Sequence, residues 1–78
     1  MNQRIHGISF EVASRVFEDE NVLIIPDEEH SIYEERYTAI GEVDKILYVV
    51  YTERMNATRI ISARAATPKE RRMYYAGI

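Results

Sequence analysis

The chain has 78 residues, of which 46% are hydrophobic and 29% charged, and a formal net charge of −3. This composition is typical of a single globular domain over residues 1–78, and the chain is too short for two domains. It contains no cysteine and only two histidines, which excludes disulfides and thiolate metal sites, and we expect neither metal nor cofactor. No apolar run approaches the roughly 20 residues of a membrane span and no secretion signal is recognisable, so we expect a cytoplasmic protein with no membrane partner.

The charges are divided unevenly along the chain. Residues 1–44 sum to −8, whereas residues 45–78 sum to +5. Such asymmetry suggests an anionic partner for the basic half, such as a nucleic acid. Arginine outnumbers lysine five to two in that half, and the planar guanidinium suits bidentate contacts with phosphate.

The first predicted element is a short N-terminal helix. Ser9 can cap it, and Phe10, Ala13, Val16 and Phe17 form one apolar stripe at helical spacing. The acidic run at 18–20 lies at the negative end of the helix dipole, so we expect the helix to end there.

Strands are predicted next. Residues 22–25 form a brief apolar run, and residues 35–40 and 58–63 alternate. Residues 46–52 form a continuous run of Ile, Leu, Tyr and Val up to Thr52, as expected of a central strand covered on both faces. Hairpin spacing makes the later strands antiparallel. The acidic segment 27–31 is predicted to be a loop.

The clearest local signal is Thr67-Pro68-Lys69-Glu70, which predicts a capped helix that ends before Gly77. The predicted fold class is therefore α+β, with an antiparallel sheet of three to four strands, an N-terminal helix and a short C-terminal helix.

Several basic side chains could hold an anion. Arg64, Arg71 and Arg72 lie within eight positions of one another across a strand-to-helix junction. The alternative is that they are solvated or pair with Glu53 and Glu70. On a flat strand Arg59 and Arg64 point to opposite faces, which would leave at least one of them outside any shared site.

Short motifs along the chain resemble the BrnT family of bacterial toxins. The pieces that carry the resemblance are His6-Gly7-Ile8-Ser9-Phe10, Glu34-Glu35-Arg36-Tyr37, Ala39-Ile40-Gly41, Tyr51-Thr52-Glu53-Arg54, Arg59-Ile60-Ile61-Ser62-Ala63-Arg64-Ala65-Ala66 and Glu70-Arg71. The resemblance implies a ribonuclease toxin with a RelE-like fold. It also implies a BrnA-like antitoxin with a ribbon-helix-helix DNA-binding region, indirect contact with operator DNA through that antitoxin, and a toxin homodimer.

The resemblance has one gap at its start. Family members usually begin with a strand containing an aromatic-Asp element and a lysine-rich helix, whereas Met1 here lies almost at the His-Gly turn. A shortened gene, a misassigned start or a variant with a free sheet edge would each account for it, and a free edge invites pairing with another chain.

For metal-independent RNA cleavage we expect fixed cations, a base and an acid. The predicted catalytic residues are Arg64 and Arg71 as a phosphate clamp and Glu53 as base. The predicted RNA-binding residues are Arg36, Arg54, Arg59, Arg72, Tyr75 and His30, with Tyr75 or His30 as the candidate acid. The alternative function is a noncatalytic subunit that binds the antitoxin or supports the operator complex; a general binder of phosphate ligands ranks last.

Overall fold

The structure is a computed structural model that describes residues 4–5, 7–29 and 34–77. Its strands are β1 (Arg4–Ile5), β2 (Ile8–Ser9), β3 (Leu23–Pro26), β4 (Arg36–Val43), β5 (Lys45–Arg54) and β6 (Ala57–Ala65). Its helices are α1 (Phe10–Ser14), which runs into a 3₁₀ helix (Arg15–Glu18), and α2 (Pro68–Ala76). The architecture is α+β, as predicted.

Four strands form an antiparallel sheet in the order β3-β4-β5-β6. The prediction of an N-terminal helix as the first element is wrong, because β1 and β2 form a small antiparallel hairpin before α1. Ser9 does cap α1, since its hydroxyl accepts a hydrogen bond from the Val12 amide at 3.1 Å. The helix is short: the Ser14 hydroxyl bonds back to the Glu11 carbonyl at 2.8 Å, and the chain tightens into the 3₁₀ helix.

The sheet carries a helix on each face. On one face, which we call the α1 face, Ala13 and Val16 pack against Ala39, Val49 and other residues of β4, β5 and β6. The opposite face, the α2 face, has its own cluster, made of Ile40, Ile46, Tyr48, Ala66 and Tyr74 with two residues of β3. Strand β5 therefore contributes to both clusters, which confirms the prediction of a central strand covered on both sides.

Gly41 lets the 3₁₀ helix approach the sheet closely. A Cβ atom at this position would lie 3.0 Å from both the Cβ and the carbonyl oxygen of Val16, and 3.3 Å from a methyl group of Val22. The absence of a side chain therefore sets the spacing between β4 and the 3₁₀ helix on the α1 face.

No helix among the described residues has the length and apolar character needed to cross a membrane.

Candidate functional site

Arg64 is held in a fixed orientation on the α2 face. Its Nη1 and Nη2 donate to the two carboxylate oxygens of Glu70 at 2.7 and 2.8 Å. Its guanidinium carbon lies 4.1 Å from the centre of the Tyr48 ring, within the range of a cation–π interaction. The hydrogen bonds from Arg64 lower the pKa of Glu70, and Glu70 in turn raises the pKa of Arg64, so both groups are charged at neutral pH.

Glu70 is available to Arg64 because the helix cap fixes its side chain. The Thr67 hydroxyl accepts a hydrogen bond from the Glu70 amide at 3.2 Å, and a Glu70 carboxylate oxygen accepts one from the Thr67 amide at 2.8 Å. Pro68 occupies the first turn. The capping box predicted from the sequence is confirmed, and its carboxylate is also the partner of Arg64.

The pairing with Glu70 leaves part of the Arg64 guanidinium unused. Glu70 accepts one hydrogen bond from each of the two terminal nitrogens. Nη1 also donates to the Ala65 carbonyl oxygen, with 3.3 Å between the two atoms. Among the described residues nothing accepts from Nε or from the remaining Nη2 hydrogen, which together form a second fork. The Arg64 side chain is 41% exposed, so this fork can meet an anion without breaking the pair.

A cleft of about 300 Å³ opens beside this arrangement, between the sheet and the start of α2. Its lining residues are Ile25, Thr38, Ile40, Tyr48, Thr67, Lys69, Glu70 and Met73. Tyr48 and Glu70 border the cleft and also contact Arg64. The sequence patterns did not indicate Thr38, Tyr48 or Lys69 as residues of a site. For Tyr48 the usable signal was that β5 presents its even-numbered residues to the α2 face.

The register of β6 corrects one sequence prediction. Tyr48 pairs with Arg64 and Thr52 pairs with Arg59, although the β5 residues are four apart and the β6 residues five. The difference is absorbed by a β-bulge at Ile61, between Val50/Ser62 and Tyr51/Ile60. The register therefore places Arg59 and Arg64 on one face, contrary to the prediction from strict alternation; at the sheet edge, Arg59 also borders a groove beside α1.

Glu53 does not lie beside the predicted clamp. It pairs with Thr58 and is five residues from Tyr48 on a regular strand, which puts it on the α1 face. There its carboxylate accepts a hydrogen bond from the Thr58 hydroxyl at 3.1 Å. The predicted grouping of Glu53 with Arg64 is wrong, because strand alternation separates them across the sheet.

Arg71 and Arg64 are both tied to the β6–α2 connection. Arg71 donates to the Ala66 carbonyl at 3.1 Å, next to the Ala65 carbonyl that Arg64 approaches. Lys69, rather than Arg71, lines the cleft.

The remaining α2 candidates lie farther along the helix. Arg72 is exposed. Tyr75 is 72% exposed and packs edge-on against Tyr74, with ring centres 5.3 Å apart. Tyr75 borders Asn21 and Glu42 near the end of α2, five residues beyond the Glu70 that holds Arg64.

Two more predicted RNA-binding residues lie on the α2 face near the β5–β6 hairpin. Arg36 pairs with Thr52 across the sheet, in line with Arg59. Arg54 approaches a Glu34 carboxylate oxygen at 3.6 Å. His30 falls outside the described residues.

The far end of α2 is fastened by a hydrogen bond from the Tyr74 hydroxyl to the Asp19 carboxylate. Asp19 also accepts from the main-chain amides of Asn21 and Glu42, both at 2.9 Å. The Tyr74 hydrogen bond, followed by these amides, lowers the pKa of Asp19 below its ordinary 3.8. The same bond raises the pKa of Tyr74 to about 12.

This fastening predicts stability losses at both extremes of pH. Asp19 makes its full contribution to the free energy of unfolding above about pH 4, and this contribution is lost as the pH falls through its lowered pKa. Tyr74 makes its full contribution below pH 10, and this contribution is lost between about pH 10 and 12. Replacing Tyr74 with Phe should lower the free energy of unfolding at pH 7 by about 1.5 kcal/mol, because the hydrogen bond to Asp19 is lost. This value is the low end for a hydrogen bond to a charged group, since Asp19 is partly exposed.

Urea unfolding of wild type and Tyr74→Phe from pH 3 to pH 12 checks this prediction. The difference between the two proteins should shrink towards both extremes. A difference that does not change with pH would rule out the Asp19 bond as its source.

In the described part of the chain, no three or more His, Asp or Glu side chains are grouped so that they could hold a metal ion.

The fold and the site define a small α+β protein that holds an arginine side chain between Tyr48 and Glu70 on one face of its sheet, as a candidate anion site. Comparison with known families identifies the family: the family model of the ribonuclease toxin BrnT, of type II toxin–antitoxin systems, matches residues 1–70 of the 78. The chain belongs to this BrnT family, and membership implies an antitoxin partner. Neither the curated proteins nor the solved structures gave a significant match.

Proposed function

We propose that this protein is a metal-independent ribonuclease that inhibits translation by cleaving RNA, and that the scissile phosphodiester binds at Arg64 on the α2 face. The observation that carries the proposal is the immobilised guanidinium. Tyr48 lies against the guanidinium, Glu70 accepts two of its hydrogen bonds, and among the described residues the Nε–Nη2 fork has no acceptor. A preorganised cation of this kind can stabilise the charge that develops on a pentacoordinate phosphorus.

The chemistry we assign is attack by the neighbouring 2′-oxygen. The 2′-hydroxyl gives its proton to water, its oxygen bonds to phosphorus, and the bond from phosphorus to the 5′-oxygen breaks to leave a 2′,3′-cyclic phosphate. Arg64 holds the phosphoryl oxygens. The Tyr48 hydroxyl, whose proton has no acceptor among the described residues, supplies a proton to the departing 5′-oxygen and takes one back from water. Glu53 has no part in this scheme because it lies on the other face.

RNA on either side of the scissile phosphate would follow the basic side chains of the α2 face. Arg59, Arg54 and Arg36 lie towards the β5–β6 hairpin, and the main-chain rise of four β5 residues separates the Arg59 and Arg64 rows by about 13 Å. We assign these three arginines to non-bridging phosphate oxygens of the flanking nucleotides. Arg71, Arg72 and Tyr75 would contact RNA beyond the start of α2.

The family assignment supports the rest of the proposal. We propose a RelE-like toxin that forms a homodimer, acts in the cytoplasm as a single domain over residues 1–78, and is neutralised by a BrnA-like ribbon-helix-helix antitoxin. Operator DNA would be contacted through that antitoxin.

A second candidate function is a noncatalytic subunit that binds the antitoxin. It is favoured by one observation: Glu70 already occupies two of the Arg64 donors. In this case the arginine would serve only to attach α2 to the sheet.

Labelled RNA incubated with the purified chain in excess EDTA separates the two candidates. The ribonuclease proposal predicts cleavage that persists in EDTA and products that end in 2′,3′-cyclic phosphate. Intact RNA, together with tight binding of the antitoxin, would favour the noncatalytic subunit. Cleavage that appears only when a divalent cation is restored would contradict the metal-independent scheme.

A further inference from the structure

The cleft beside Arg64 has the composition of a site for one small planar ligand. Ile25, Ile40 and Met73 supply apolar walls, while the Thr38 hydroxyl and Lys69 supply polar groups. Binding sites for small molecules usually combine an apolar lining with a few placed polar groups. The volume of about 300 Å³ is at the lower end for such sites, which suits a single ring system better than two stacked ones.

We propose that this cleft is a nucleobase subsite: it receives the base of the nucleotide next to the phosphate bound at Arg64, and it sets the nucleotide preference of cleavage. The inference rests on the proposed function for the identity of that phosphate. The base would enter between the sheet and the first turn of α2.

Continuity with the anion site supports this placement. Tyr48 and Glu70 line the cleft, and the same two residues hold the Arg64 guanidinium. A nucleotide whose phosphate meets the Nε–Nη2 fork of Arg64 would therefore lie beside this cleft, because the two share Tyr48 and Glu70. Lys69 is exposed at the rim, where its ammonium can donate to a carbonyl or ring nitrogen of a base.

Thr38 is the residue we assign to discrimination between bases. The residue is 5% exposed, and its hydroxyl donates a long hydrogen bond of 3.4 Å to the Tyr48 hydroxyl. A base with a matching group on its edge can replace that weak partner. A base without one that separates Thr38 from Tyr48 would leave a buried hydroxyl unpaired, which is expected to lower binding by about tenfold or more.

Amide NMR spectra of the wild-type chain test the proposal. The chain is titrated separately with the four nucleoside 3′-monophosphates and with ribose 5-phosphate, which has no base. We expect one nucleotide to bind about tenfold more tightly than ribose 5-phosphate and to shift the amide signals of Ile25, Thr38 and Met73.

Two variants and a control locate the preference. Thr38→Val keeps the shape of the side chain but removes the hydroxyl, and it should reduce the preference among nucleotides by about tenfold. Lys69→Ala changes an exposed residue, and it should weaken binding of the preferred nucleotide more than binding of ribose 5-phosphate. Ser62→Ala, on the same face but outside the lining of the cleft, should change neither.

The possible results separate this inference from the proposed function. Equal affinity for nucleotides and ribose 5-phosphate, or an unchanged preference in both cleft variants, would overturn the base subsite even if RNA is cleaved. Selective nucleotide binding in the cleft by a chain that leaves RNA intact would uphold the subsite and overturn the ribonuclease activity.

Discussion

Replacing Arg64 with lysine should lower the rate of RNA cleavage by about 100-fold or more, while the protein stays folded. Lysine keeps the positive charge and can still pair with Glu70, but it lacks the second fork that we assign to the scissile phosphate. Removal of one preorganised donor from a transition-state site typically costs a factor of about 10² to 10³. The measurement is single-turnover cleavage of an RNA oligonucleotide, with thermal unfolding as the check on folding.

The matched control is Arg15→Lys, which alters an exposed arginine on the 3₁₀ helix, away from the α2 face. It should leave the cleavage rate within about twofold of wild type, as expected for a surface charge away from the site. Wild-type cleavage by Arg64→Lys would remove the guanidinium fork from the mechanism.

Replacing Gly41 with alanine should destabilise the fold by about 1 to 3 kcal/mol, because the new methyl group meets the main chain of the 3₁₀ helix at Val16. A main-chain oxygen 3.0 Å away cannot rotate aside as a flexible side chain would. For a chain of this size each kcal/mol corresponds to roughly 4 to 8 °C in Tm. Gly41→Val, which adds two more methyl groups, should destabilise the fold more than Gly41→Ala does.

Chemical denaturation measures both Gly41 variants against Glu42→Ala, which changes the neighbouring exposed side chain on the same strand. That control should lie within about 0.5 kcal/mol of wild type. If Gly41→Ala were as stable as the control, the close approach of the 3₁₀ helix to β4 would not limit packing.

Local patterns in the sequence predicted the parts of the fold that local chemistry determines. The Thr67-Pro68-Lys69-Glu70 segment specifies its own capping box. The middle of β5 is apolar because it lies between two covered faces. The β1–β2 hairpin was missed because two-residue strands carry almost no periodic signal.

The candidate site depended on features that alternation alone does not show. One extra residue at Ile61 moves Arg59 onto the face of Arg64, and a bulge has no reliable pattern in a single sequence. Glu53 was grouped with Arg64 because it lies at a strand end. It lies on the α1 face instead, because it is an odd number of residues, five, from Tyr48. The cleft was missed because β3 and β4 bring Ile25 and Thr38 from the acidic half of the chain to the basic half.

The central claim is that RNA binds on the α2 face with a phosphate at Arg64. Its most direct test is to titrate the labelled wild-type chain with an RNA oligonucleotide carrying 2′-O-methyl groups throughout, which cannot be cleaved by 2′-oxygen attack, and to follow backbone amides and the arginine Nε–H signals by NMR. The account predicts that the Nε–H of Arg64 and the amides of Tyr48 and Glu70 shift most. Perturbations confined to the α1 face, around Glu53, Thr58 and Phe10, with Arg64 unchanged, would contradict it.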